Sequence, residues 1–99
     1  MHARSGRVDI APDRIDTAVA TLRDQQIPQY RDAQGYKGFT CLANRDSGAV
    51  LGISFWETEA DRDASEQLGA ESRQKMSEAA GTQDQMQRES WEVVYDDMV

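Results

Sequence analysis

The chain is 99 residues long, enough for one domain with a thin core, and hydrophobic residues make up only 38% of it. Its formal net charge of −7 opposes binding to nucleic-acid phosphates, and no block of Lys and Arg suits an anionic membrane surface. No apolar run approaches the roughly 18 residues of a transmembrane span, the basic opening MHARSGRVDI lacks the apolar stretch of a signal peptide, and Cys41 has no second cysteine to pair with, so a soluble, cytoplasmic protein is expected.

The first element is a short strand in residues 3–10, where Val8 and Ile10 alternate with Arg7 and Asp9. Pro12 and Asp13 then suit the first turn of a helix. Ile15, Val19, Leu22 and Gln26 recur on one face of it, with Ala18 beside them, and Pro28 is expected to interrupt or end it. GYKGFTCLA, from Gly35, is rich in aromatic and small residues and reads as a second strand. NRDSG at 44–48 suits a hairpin turn closed by Gly48. AVLGISFWE is the partner strand, apolar on both faces.

Thr58 is placed to cap a second helix, with Asp61 three residues on. Ala60, Ala64 and Leu68 form a narrow face, Gly69 is expected to break or kink the helix, and a further helical stretch runs from Glu71 to Ala80 with Met76 on it. Gly81 reads as its C-terminal cap. ESWEVVYDD, with Trp91, Val93 and Tyr95 alternating, gives a last strand. The order β-α-β-β-α-β is that of an α+β ferredoxin-like fold, a four-stranded antiparallel sheet with its helices on one face.

The second sheet face then needs a cover. In the third strand Ala49, Leu51, Ile53 and Phe55 point one way, and Val50, Gly52, Ser54 and Trp56 the other. Leaving Leu51, Ile53 and Phe55 in water, with Phe39 and Cys41 expected nearby on strand two, makes a patch unusual for a monomer. Burying each large side chain contributes about 1.5–3 kcal/mol. Pairing of two sheets in a homodimer is the economical cover.

The stretch QIPQYRDAQGYKGFTCLANRDSGAVLGISFWETEADRDAS and the final SWEVVY resemble the dimeric α/β-barrel superfamily, in particular antibiotic biosynthesis monooxygenase-like domains. The resemblance covers nearly the whole chain. It implies a dimeric α/β barrel and, in each subunit, a pocket for a small apolar or aromatic ligand between helices and sheet. In the cofactor-free, quinone-forming members a tryptophan at the end of strand three lines the active site, which transfers to Trp56. Those members carry an asparagine four residues earlier, where this chain has Gly52. That departure leaves two functions open: a cofactor-independent monooxygenase acting on a small aromatic or polyketide-like compound, or a non-catalytic binding or stress-related domain.

An indole offers a flat wall and an N–H donor, although Trp56 could equally fill the core. The polar candidates beside it are Ser54, Tyr36 and Arg7, with Arg4 and Thr40 behind them. Whether Tyr36 shares the face of Trp56 depends on the hairpin register, since a slip of one residue reverses it. The heme-degrading members bind iron through a histidine on helix two, whereas the one histidine here is His2. No spaced metal-ligand set and no cofactor motif is present. Cys41 reads as a small buried residue, and the acids of helix two as its solvated face.

Overall fold

The computed structural model describes residues 1–80 and 87–98, apart from the side chains of Arg73, Met76, Ser77 and Ala80; the expected cap at Gly81 and the packing of Met76 lie outside the described residues. Four strands form one antiparallel sheet: β1 (His2–Asp9), β2 (Tyr36–Asn44), β3 (Ala49–Trp56) and β4 (Gln87–Glu92), in the spatial order β2-β3-β1-β4. The helices are α1 (Ile15–Thr21), α2 (Ile27–Arg31), α3 (Glu59–Ala64) and α4 (Glu66–Ala80). This is the α+β ferredoxin-like fold. Among the described residues no helix is long and apolar enough to cross a membrane.

The helices cover one sheet face. Val8, Ile10 and Val50 from the sheet meet Ile15, Ala18 and Leu22 from the first helical segment in a single buried cluster. Pro28 does not end that segment. It stands in the first turn of α2, where a missing N–H costs little. The chain reaches it through a π-helical turn, Leu22–Gln26, in which the Ile27 N–H donates to the Leu22 carbonyl. Gln26, the last residue of that turn, is in the interior, as its place on the apolar face leads one to expect, and is 3% exposed.

Gly69 does not break the second helical segment either. The break falls earlier, at Ser65 between α3 and α4, and α4 runs through Gly69 to Ala80. Thr58 caps α3 by accepting the Asp61 N–H at 3.1 Å. The last strand is shorter than its alternation suggests. β4 ends at Glu92, and Val94, Tyr95 and Met98 beyond it are exposed.

The hairpin of β2 and β3 holds the main departure from expectation. Tyr36 pairs with Trp56, but Gly38 pairs with Phe55, so one extra residue is bulged out at Lys37. Every residue after it changes face. Phe39 comes opposite Ser54 and Cys41 opposite Gly52. Both pack against the helix-side core, not on the outer face beside Leu51 and Ile53. Thr40 and Leu42 take those outer places instead, opposite Ile53 and Leu51.

Candidate functional site

Trp56 is fully buried at the end of β3, opposite His2 on one side and Tyr36 on the other. The Tyr30 and Tyr36 rings meet it edge-on, with centroids at 6.1 and 5.6 Å. Its Nε1 donates to Ser54 Oγ at 2.9 Å, two residues back on the same face. Burial lifts the Tyr36 phenol above its ordinary value, with the Arg31 charge opposing. Tyr36 is therefore a neutral wall, not a proton donor poised near neutrality.

Next to this group Gly6 pairs directly with Gly52 across β1 and β3. Two adjacent glycines leave a piece of sheet with no side chains on it. Above it lies a cavity of about 40 Å³, lined by Arg4, Leu22, Tyr30, Phe39, Ser54, Gly69 and Ser72 together with the glycine floor and Ser5. Trp56 and Tyr36 do not line it. They stand behind Tyr30 and Ser54, which do.

The polar lining is ordered. Arg4 is 6% exposed. Its Nη1 donates to Glu66 Oε2 at 2.9 Å and the Arg62 carbonyl at 3.2 Å; its Nη2 donates to the Ser65 carbonyl at 2.9 Å and Ser65 Oγ at 2.6 Å. The guanidinium thus closes the break between α3 and α4. Glu66 also contacts Arg88 of β4, so one carboxylate joins two strands through two arginines. Gly69 lets α4 approach, since a Cβ there would stand 3.0 Å from the Arg4 guanidinium.

On the opposite wall the Tyr30 hydroxyl lies 2.8 Å from Ser72 Oγ, which donates to Gln26 Oε1 at 3.5 Å. Both Tyr30 and Ser72 are buried. Neither figured among the sequence candidates. Their only signal was the polar residue Gln26 on an apolar helix face, four residues before Tyr30.

Arg7 is on the other side of the sheet. It faces out beside Ser5 and Ala3, with Asp9 at 3.7 Å. The four expected site residues are therefore divided: Ser54 lines the cavity, Trp56 and Tyr36 support it, and Arg7 belongs to the outer face. Parity along β1 explains why Arg4, not Arg7, reaches the cavity, because it shares a face with Gly6 and pairs with Ser54. Among the described residues no cluster of His, Cys, Asp and Glu could hold a metal ion.

The outer face is a shallow hollow of about 510 Å³ over Ala3, Arg7, Leu51, Ile53, Phe55 and Trp91. Trp91 is 48% exposed and Leu42 52%. The Trp91 Nε1 donates to Ser5 Oγ at 2.8 Å, which ties the indole to β1.

No known family profile matches the chain. An uncharacterized protein of Mycobacterium tuberculosis, Rv2557, is 30% identical over 93 residues, which are 94% of this chain and 41% of that protein. The chain therefore spans about two fifths of the length of that relative. Among solved structures, the ActVA-Orf6 monooxygenase of Streptomyces coelicolor, in complex with nanaomycin D, superposes with a TM-score of 0.78 at 17% identity, over 99% of this chain and 91% of that one. The heme-degrader MhuD of M. tuberculosis gives 0.71 at 13% identity, over 99% and 100%. A dimeric ferredoxin-like protein from an uncultured marine organism gives 0.70 at 7% identity, over 99% and 91%. The chain has the fold of the antibiotic biosynthesis monooxygenase-like proteins.

Proposed function

We propose that the protein binds a small oxygenated aromatic compound in the cavity between sheet and helices and oxidises it with dioxygen, without a metal or organic cofactor. The observation that supports this is the buried Arg4 guanidinium at the cavity wall, grouped with the hydroxyls of Ser54, Ser72 and Tyr30. A phenolate or enolate oxygen placed there meets a positive charge that is already fixed by hydrogen bonds. Away from bulk water such a charge acts more strongly. It favours the anion, whose proton leaves to solvent and whose electrons reduce dioxygen. Overall a ring CH2 and O2 become a ring carbonyl and water.

Trp56 acts in this scheme as a positioning residue, since its N–H orients Ser54. The fold shared with the ActVA-Orf6 monooxygenase supports the reaction class by analogy. Heme chemistry suits these residues poorly: the one imidazole, His2, lies on β1 opposite Trp56, and residues 59–80 contain none.

A non-catalytic binding role is the second reading. It is favoured by Glu66, which offsets the Arg4 charge, and by the size of the cavity, which at about 40 Å³ suits a few waters. Oxygen uptake with anthrone under air, corrected for uncatalysed oxidation, separates the two. The enzyme reading expects uptake matched by quinone formation and at least tenfold slower in Arg4→Met. Binding without uptake selects the second reading, and neither binding nor uptake rejects both.

In both readings the protein is a homodimer through its outer sheet face. The hollow over Leu51, Ile53 and Phe55 supports this, as does the likeness to a dimeric ferredoxin-like protein.

A further inference from the structure

We propose that Phe39 is a displaceable plug that decides how large an aromatic ligand the cavity accepts. The inference rests on the reading of that cavity as a ligand site. The floor of the cavity is the bare pair Gly6 and Gly52. The tip of the Phe39 ring reaches this floor: its Cζ is 3.0 Å and its Cε1 3.5 Å from where a Cβ on Gly52 would stand. The face of the ring is stacked on Tyr30, with centroids at 5.7 Å and planes 17° apart. A flat hydrocarbon ring that stacks on a tyrosine and ends over a bare glycine occupies the place a planar ligand would take.

Phe39 is also the member of this cluster best able to leave. Tyr30 and Trp56 are buried and hydrogen-bonded. Phe39 has no polar atom to satisfy, is only half-buried, and sits on the edge strand β2 just after the bulge at Lys37. With the ring turned out, the space over Gly52 joins the existing cavity. A ligand ring then replaces Phe39 in the stack on Tyr30, and a hydroxyl on that ligand reaches toward Arg4 and Ser54. The ligand class is a planar aromatic of two or more fused rings bearing a phenolic or enolic oxygen. A one-ring phenol gains less, because it already needs little of the space that Phe39 fills.

The test is titration of wild type, Phe39→Ala, Phe39→Leu and Phe39→Trp with 2-naphthol and with phenol, followed by backbone amide shifts of Gly52, Gly69 and Ser72. Well-dispersed spectra check that each variant is folded, and Phe39→Leu keeps the core closed if the alanine variant does not fold. The expected result is 2-naphthol binding at least tenfold tighter in Phe39→Ala, intermediate in Phe39→Leu and at least tenfold weaker in Phe39→Trp. Phenol affinity is expected to change less than threefold, a selectivity that a purely structural role for Phe39 does not produce. Equal 2-naphthol affinity in all four proteins, with shifts at those three amides, overturns the plug and leaves the site standing. Absence of shifts at those amides in every variant overturns both.

Discussion

Among the described residues Arg4 makes four side-chain hydrogen bonds, two of them to Ser65, which joins α3 and α4, and one to each helix. Replacing it by Met removes a charged donor, while the Ser65 carbonyl keeps the Gly69 N–H and the Arg62 carbonyl keeps the Ser65 N–H and hydroxyl. Glu66 keeps Arg88 and is 44% exposed, so the full penalty of an unpaired buried charge does not apply. Arg4→Met is expected to destabilise the fold by about 2 kcal/mol, read from urea denaturation. Cys41 shows the reverse situation, a group with no ion partner. Burial pushes its thiol above an ordinary value near 9.0. A folded-state value above the unfolded one contributes stability that is present at lower pH and lost as pH rises through the folded value. Alkylation by iodoacetamide at pH 8 is therefore expected to be slower in the native protein than in denaturant. A native rate equal to the denatured one would mean that the thiol is exposed.

Two glycines are sites of close approach, and alanine is expected to gain nothing at either, for different reasons. Gly48 has φ of +83°, a left-handed conformation, and a Cβ there would collide with the Ile10 carbonyl oxygen. That carbonyl belongs to the residue whose own N–H donates to the Gly48 carbonyl at 2.7 Å, so the hairpin end and the exit of β1 are held together. Gly48→Ala is expected to cost at least about 2 kcal/mol, a fall in Tm on the order of 10 °C. Gly69 lies in the helix α4, where alanine normally gains about 1 kcal/mol. Here the new methyl presses on a guanidinium held by several bonds. Gly69→Ala is expected to give no net stabilisation, and a rise in Tm would show that Arg4 moves freely. The glycine signal at 69 was visible in the sequence. Its meaning was not, because a helix breaker and a site of close approach are written with the same letter.

At the scale of the whole molecule the sheet has two unlike faces. One carries the core and the cavity. The other carries Leu51, Ile53 and Phe55, half-buried within a single chain, with Trp91 and Leu42 more exposed. Covering three such side chains in a dimer contributes several kcal/mol by area alone, about 1.5–3 each at full burial. The protein is expected to sediment as a dimer at micromolar concentration. Ile53→Asp is expected to dissociate it while leaving the helix-side core intact; an unchanged dimer would place the interface elsewhere. Phe39→Ala lies on the opposite face and serves as the control that leaves the dimer unchanged.

Element types and their order were legible in the sequence because they follow from local periodicity and turn chemistry. The alternation of β3, the spacing of Ile15, Val19 and Leu22, the NRDSG turn and the Thr58 cap all act over a few residues. The same patterns separated the two faces of β3, so Ser54 and Trp56 were placed together from the start. What depended on tertiary structure was parity between strands. A single bulged residue at Lys37 carried Phe39 and Cys41 to the core, and only strand pairing reveals such a bulge. Parity on β1 likewise put Arg4 at the cavity and Arg7, the arginine that the sequence reading preferred, on the outer face. Tyr30 and Ser72 meet across 42 positions, a contact created by helix packing that no local pattern encodes. Pro28, expected to interrupt or end its helix, follows an interruption by a π turn without ending the segment, and Gly69, expected to break or kink its helix, lies within α4 at a close approach to Arg4.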